Sequence, residues 1–432
     1  MKRTREAQRV IRIADLSRIE GEAGFCVTMK GTEVEDVQLR VFEPPRLFEA
    51  FLRGRHYSEV PGLVARICGI CPVAHQVTSL QAIESILGIE PDPAVVLLRR
   101  LLYLGEWIES HALHIFMLHA PDFLGHADAI SLARENPHLV EQGLRLKKAG
   151  NALVRIIGGR EIHPVTPAVC GFHRAPLPEE LHSIVDELQW ARDAAIECTR
   201  TVSRLEFPDF ELPHEYMALC HPRQYAVLEG RLTTSSGEII ETRDFGVRII
   251  EQQVKYSHAL HSRLRDRGAY AVGVLSRINL SFAQLPEIAR TVASDCGFAV
   301  PCHNPFRSIA ARAIELIFAC ETALDLIAHY DQTPIAGPPA TSRAGCGQSI
   351  TEAPRGTLYH RYRLDEHGLV LEAQIVPPTA QNQKCMEDDI WQVAAKSAGL
   401  PAGQLSERCE RAVRNYDPCI SCATHCVVIR RK

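Results

Sequence analysis

RICGICPVAH, Arg66 to His75, is the stretch that decides how this chain is read. It sets Cys68 and Cys71 two residues apart in a glycine-containing turn, with Pro72 behind the second cysteine and His75 four residues beyond it. The far end of the chain repeats the arrangement. Asp417 to His425 reads DPCISCATH, where Cys419 and Cys422 keep the spacing and a histidine again follows. A CxxC turn puts both sulfurs on one side of the backbone, and thiolates are soft metal ligands, so two such pairs can supply four thiolates to one point in space.

The rest of the chain bounds what that point can be. With 432 residues the chain exceeds one ordinary core, and 46% hydrophobic against 23% charged residues fits a folded protein. A net charge of -4 implies neither nucleic acid nor an anionic membrane as partner. No apolar run approaches the roughly 20 residues of a membrane span. The basic start MKRTREAQRV is not followed by a signal-peptide core, and 15 cysteines scattered in apolar context suit a reducing cytoplasm better than a disulfide framework.

Outward from the first motif, Val73 to Leu87 reads as a helix closed by Gly88. Pro93 to Leu118 reads as a long helix, apolar round much of its surface and so buried on most sides. His111 and His114 lie on it at i, i+3, a spacing open to metal binding and to satisfied core histidines alike. Pro137 to Ile157 and Pro178 to Leu205 are further long helices, separated by a Gly/Pro-rich loop, Gly158 to Phe172. Asn304 to Tyr330 is another, with Asn304 as N-cap and Pro305 in the first turn. Before the motif, Phe25 to Met29 and Val34 to Phe42 form a hairpin. Glu20 precedes it as a loop carboxylate, and Glu49 rides a short amphipathic helix after Pro44-Pro45.

Later, Glu238 to Thr242 and Ala269 to Val274 read as strands and Asp244 to Leu264 mostly as helix. Pro334 to Thr351 reads as a loop, Leu358 to Tyr362 and Leu369 to Val376 as strands, and Glu387 to Ala398 as a helix. The expected architecture is mainly α with small β elements, an α+β body. A long central helix bundle is flanked by an N-terminal hairpin sheet and irregular Gly/Pro-rich loops. Without repeats or a linker, residues 1–432 are expected to form a single interleaved domain.

No dinucleotide fingerprint, P-loop or nucleophile elbow appears, so the chemistry falls to the cysteines. Two CxxC pairs ordinarily suggest structural zinc. Structural pairs, however, usually lie roughly 15 to 20 residues apart, and these lie at opposite ends. A chain this large and apolar has no need of a metal staple, and each pair has a surplus histidine donor. A redox dithiol would need only one pair.

The ordered motifs resemble those of the large, catalytic subunit of nickel-iron hydrogenases. They are RIEG at Arg18 to Gly21, PRLFEAFLRGR at Pro45 to Arg55, RICGICPVAH, SHALH at Ser110 to His114, GGREIHPVT at Gly158 to Thr166, EAPRG at Glu352 to Gly356, PPTAQNQ at Pro377 to Gln383, and DPCISCATH. Their spelling is nearest the cytoplasmic, multi-subunit, NAD(P)-linked and sulfhydrogenase alpha-subunit group.

The resemblance implies reversible heterolytic cleavage of dihydrogen. It implies that Cys68, Cys71, Cys419 and Cys422 bind nickel, with Cys71 and Cys422 bridging to an iron that carries carbon monoxide and cyanide. Cys419 is the implied thiolate base, Glu20 takes the outgoing proton, and Arg355, beside Pro354 and Asp417, polarises dihydrogen. Thr379 would hydrogen-bond a cyanide, His75 would steady the bridging sulfur and a second cyanide, and Glu49 and His425 would hold magnesium.

Dihydrogen is a very weak acid, so its cleavage needs a Lewis-acidic metal pair and a nearby base. A guanidinium stays protonated and acts by electrostatics. The chain has no ferredoxin-like cysteine run, so an iron–sulfur small subunit is implied, with flavin and NAD(P) on further electron-transfer subunits. Nickel chaperones and a maturation protease that removes a C-terminal tail, residues 426–432, are implied too. Glu22 stands where the family commonly has histidine, and Ser110 where many relatives have aspartate. Rival readings are a dihydrogen sensor with the same ligands, a zinc-stabilised binding protein, and a quinone-site relative, which would lack the cysteines.

Overall fold

The computed structural model describes residues 8–331 and 341–425. The tail 426–432 and most of the first half of the Pro334–Thr351 segment lie outside them. The protein is an α+β body, and among the described residues no helix is long and apolar enough to cross a membrane.

The bundle is built from helices that bury nearly every face. Pro72–Leu87, Pro93–Leu113, Pro137–Gly158, Val185–Val202 and Ser308–Ala328 share one hydrophobic core, which also takes in Cys68, Cys71, Cys419 and Cys422. Proline opens three of these helices at the first turn, where its missing N–H costs nothing, and left-handed Gly88 and Gly159 end two of them.

Two helices touch backbone to backbone. A Cβ on Gly150 would stand 2.6 Å from the Glu109 amide nitrogen and from the Gly105 carbonyl. Gly150→Ala is therefore expected to destabilise the protein by about 1–3 kcal/mol through overpacking, read as a lower denaturation midpoint with an unchanged slope.

The N-terminal sheet is antiparallel, in the order Gln8–Ile13, Ala23–Lys30, Glu33–Val41. Its inner face (Phe25, Val27, Met29, Leu39, Val41) packs on Met386, Ile390, Leu405 and Val413 from the C-terminal helices Pro378–Lys396 and Ala402–Arg414, and on Ile420 beyond them. The two ends of the chain thus share a core, and this brings the two cysteine motifs to one place.

Several elements depart from the sequence expectation. Pro93–Leu118 stops as an α-helix at Leu113 and continues as a wider π-type turn over His114–His119. Pro178–Leu205 breaks at Ser183-Ile184 into Pro178–His182 and Val185–Val202. Asp244–Leu264 is not a helix. A single turn, Phe245–Arg248, leads into an antiparallel hairpin of Ile249–Gln253 with Leu260–Leu264. That hairpin is fixed by distant partners, with the Ser257 hydroxyl accepting from the Val41 amide.

Ala269–Val274 makes only an isolated bridge through Ala271, and the strand expected at Glu238–Thr242 shrinks to Ile239–Ile240. The Gly-rich end of the Pro334–Thr351 segment is a strand, Gly345–Ala353, paired with Gly356–Leu364. A Cβ on Gly347 would stand 2.4 Å from the Ala82 carbonyl, so this glycine serves close approach to a helix, not a loop. The Glu387–Ala398 helix starts earlier, at Pro378, directly behind strand Val370–Val376.

Candidate metal centre

Each cysteine motif is a short turn at the mouth of a helix. Cys68 is extended, and Cys71 immediately precedes Pro72, the first residue of its helix. The amides of Ile70 and Cys71 both donate to the Cys68 sulfur, at 3.2 and 3.3 Å. The carboxylate of Glu106 accepts from the amides of Val73 and Ala74, which caps that helix and fixes Cys71. At the other end, extended Cys419 leads into the single turn Ile420–Ala423, and its amide donates to Thr379 Oγ1 at 2.9 Å.

The two motifs are tied together by Arg46. Its guanidinium donates to the carbonyls of Ile67 and Ser421, the residues just before Cys68 and Cys422. Nearby, the Arg46 and Phe48 amides donate to the carbonyls of Thr424 and His425.

The result is one cluster. The four sulfurs lie within 4.8 Å of one another and are at most 4% exposed. Sγ–Sγ separations are 3.4 Å for Cys68–Cys419, 3.4 Å for Cys71–Cys422 and 2.8 Å for Cys419–Cys422. Hydrogen bonds from Cys419 and then Cys422 and Cys71 hold the Cys68 thiol well below its usual pKa, while burial pushes Cys419 and Cys422 well above. Four thiolates in so small a buried volume need cations among them, which fits the donor set to soft metal ions.

Around the sulfurs the structure sets most of the residues expected from sequence. His75 Nε2 is 3.5 Å from the Cys422 sulfur, and its Nδ1 is 3.1 Å from His360 Nε2. Burial holds the His75 pKa down at about 3, so the ring is neutral. Arg355 Nε donates to the Asp417 carbonyl at 2.8 Å and lies 3.2 Å from its carboxylate. Burial opposes the Arg355 charge, but Asp417 and the thiols outweigh it and keep the guanidinium charged.

The Pro354 carbonyl accepts from Arg277 at 2.9 Å, and Arg277 also grips Glu315, Glu352 and the Ala353 carbonyl. The turn carrying Arg355 is thereby locked from below. Glu20 forms a bridge beside Cys419, its backbone carbonyl accepting from Ile420 and its carboxylate from the Ser421 amide at 3.0 Å. Ser110 Oγ is buried and has no hydrogen-bond partner among the described residues, so it does not hold Arg355. Glu22 is exposed and points no side-chain bond at Glu20.

A second group gathers at His425. Its Nε2 lies 2.6 Å from the Ile375 carbonyl and 3.6 Å from Glu49, whose carboxylate accepts from the Ile375 amide. Burial works against a charged His425, but the Glu49 bond outweighs it and raises the pKa. Burial also lifts Glu251, close enough to feel both, to about 7. Two carboxylates, an imidazole and a carbonyl make a hard, mainly oxygen donor set that suits magnesium.

His111 and His114 are core histidines. His111 bonds Glu315 at 2.7 Å, and His114 donates to the Arg414 carbonyl at 2.9 Å. Sequence reasoning missed Arg46, Glu106, Arg277, Glu251 and His360. Arg46 lies inside a motif that was noticed, and the others carry no local signal.

Comparison with known proteins agrees with this geometry. The nickel-dependent hydrogenase family matches residues 46–153 and 224–425. The chain is 34% identical to the sulfhydrogenase 2 alpha subunit of Pyrococcus furiosus, over 97% of this chain and 99% of that one. It is 28% identical to the beta subunit of the NAD-reducing hydrogenase HoxS of Cupriavidus necator, over 96% and 94%. It superposes on the crystal structure of an NAD+-reducing NiFe-hydrogenase in the H2-reduced state with a TM-score of 0.87 at 26% identity, covering 96% of this chain and 99% of that chain. With four buried cysteines in place to take nickel and iron, the chain belongs to the nickel-dependent hydrogenase family, as a nickel-iron hydrogenase catalytic subunit.

Proposed function

We propose that this chain cleaves dihydrogen reversibly and heterolytically, working as one interleaved body in the cytoplasm. The observation that supports this most is the convergence of Cys68, Cys71, Cys419 and Cys422 beside the buried, charged Arg355. All four cysteines would hold nickel, and Cys71 and Cys422 would also hold an iron that carries carbon monoxide and cyanide. Bound there, the metal pair supplies the Lewis acidity that dihydrogen needs.

The chain's own groups do the rest. Arg355, held by Asp417 behind Pro354, presents a fixed positive charge to the reacting site. Cys419 accepts the proton on sulfur, and Glu20, bridged to it along the backbone, carries the proton outward. Neutral His75 steadies the Cys422 sulfur, and Thr379, whose Oγ1 accepts from the Cys419 amide, would donate its own proton to a cyanide. Glu49 and His425, with Glu251 and the Ile375 carbonyl, would hold magnesium. Ser110 leaves Arg355 to Asp417 alone.

Electrons leave through an iron–sulfur small subunit and further flavin and iron–sulfur subunits to NAD(P) or a similar acceptor, in line with the multi-subunit names of the relatives. The deciding experiment is hydrogen uptake by the purified native complex with a dye and with NAD(P), beside elemental analysis. Turnover with nickel and iron and no stoichiometric zinc is expected. A zinc-loaded complex without hydrogen uptake would overturn the reading.

Nickel chaperones and a maturation protease complete the set of partners. The buried His425, whose carbonyl accepts from Phe48 at 2.8 Å, supports cleavage directly after it, removing residues 426–432. Intact-mass measurement of nickel-loaded, active protein is expected to show a chain ending at His425. A mass that includes Lys432 would refute the cleavage.

A further inference from the structure

Strand Gly356–Leu364 begins directly after Arg355 and packs against helix Pro72–Leu87, which carries His75. Alternate residues of a strand share a face, so His360 and Tyr362 point the same way. Both are 0% exposed.

Hydrogen bonds join these side chains to the cysteine cluster in one line. His75 Nε2 lies 3.5 Å from the Cys422 sulfur, His75 Nδ1 lies 3.1 Å from His360 Nε2, and His360 Nδ1 lies 2.6 Å from the Tyr362 hydroxyl. All four ring nitrogens are engaged. Other buried histidines differ, since His111, His114 and His119 each leave Nδ1 without a hydrogen-bond partner among the described residues. Burial keeps both rings of the line uncharged, holding His75 down at about 3 and His360 well below its usual range. Each ring therefore carries one hydrogen.

One hydrogen per ring leaves two directions for the line. A thiol on Cys422 could donate to His75, and every later hydrogen would then point toward Tyr362. A metal-bound thiolate has no hydrogen to give and can only accept. His75 then carries its hydrogen on Nε2 and leaves Nδ1 bare. That nitrogen accepts from His360 Nε2, which leaves His360 Nδ1 bare in turn. The Tyr362 hydroxyl is in place to donate to it, and burial holds its pKa well above the usual phenol range, so it keeps its proton.

We propose that Tyr362 is a positioning residue, which acts through His360 to fix the tautomer of His75 so that an N–H points at the Cys422 sulfur. This role rests on Cys422 being a metal-bound thiolate, as proposed above. Partners behind the ligands orient them and tune the metals. An N–H on a sulfur shared by two metals draws electron density from it. Without the hydroxyl, His360 Nδ1 loses its donor and the opposite tautomers are no longer disfavoured. In those tautomers a bare His75 Nε2 faces the thiolate, and the bond to sulfur is gone.

Neutron diffraction from deuterium-exchanged crystals of the assembled complex reads these hydrogens directly. Deuterium is expected on Nε2 of His75 and His360 and on the Tyr362 oxygen, with Nδ1 of both rings bare. Deuterium on either Nδ1 would overturn the role. Infrared spectra of the same complex give a second readout. Tyr362→Phe is expected to keep nickel and iron and to move the carbon monoxide and cyanide bands to lower wavenumber, as sulfur returns electron density to iron. Adding His360→Gln should restore the bands, because an amide Nε2 keeps its hydrogens whatever stands at position 362. Unmoved bands in a metal-replete Tyr362→Phe complex, or a double variant that stays shifted, would also overturn it. Failure of the hydrogenase reading looks different, since the unmutated complex would then lack the metals and these bands altogether. If Tyr362→Phe fails to assemble, the neutron map decides alone.

Discussion

Cys71→Ser is expected to abolish hydrogen turnover and to empty the metal centre. The sulfur at this position lies 3.4 Å from Cys422, in a pocket with no water-exposed face from which a substitute ligand could come. A serine hydroxyl is a hard, neutral donor that does not ionise near neutral pH, whereas nickel and iron in such a site prefer soft thiolate. Cys68→Ser, Cys419→Ser and Cys422→Ser are expected to behave alike, because each removes one quarter of the same donor set.

The measurement is metal content and dye-linked hydrogen uptake on the same purified complex. Nickel should fall to a small fraction of the unmutated value and uptake below detection. The helix cap from Glu106 and the Arg46 clamp do not use the sulfurs, so the variants should still fold and show a near-normal far-ultraviolet spectrum. A fully active Cys71→Ser enzyme would end the assignment of these cysteines to the centre.

The cysteines were legible from sequence because a CxxC turn is local: the chemistry of the ligand and its spacing sit within four residues. The bundle was legible for a similar reason, since a helix that is apolar all round has nowhere to go but inside. What failed were elements whose conformation is set at a distance. Ile249–Gln253 and Leu260–Leu264 have a mixed pattern that fits helix and strand alike, and the hairpin wins through contacts such as Ser257 with Val41. Gly345 and Gly347 look like loop residues until the helix Pro72–Leu87 is laid against them.

The site divides in the same way. Arg277 has no motif, yet it holds two carboxylates and the carbonyls of Ala353 and Pro354, and so sets the direction of Arg355. Glu106 looks like one more acid on a long helix until its carboxylate is found on the amides behind Cys71. His111 and His114 have metal-like spacing, but a buried carboxylate and a carbonyl claim them first. Roles created by contacts between residues far apart in sequence leave no local trace.

Glu20→Gln is expected to remove hydrogen oxidation and hydrogen/deuterium exchange while leaving nickel in place. The substitution keeps the size of the side chain and removes only its capacity to carry a proton. The carboxylate accepts from the Ser421 amide, a bond that the glutamine oxygen can also accept, so the local fold should persist. Gly21 reinforces this, since its left-handed backbone sits tight against Ile420 and fixes the loop whatever the side chain before it.

Proton relays of this kind contribute roughly 10²–10⁴-fold, and a loss in that range is the expected result for both activities. Exchange is the sharper readout, because it needs the proton to leave but no electron to travel to another subunit. If exchange stays near the unmutated rate, Glu20 is not on the path. Glu22, exposed at the surface, makes a poor substitute. Glu43 is the better one, since its carboxylate accepts from the Ser421 hydroxyl at 3.0 Å on the same residue that anchors Glu20.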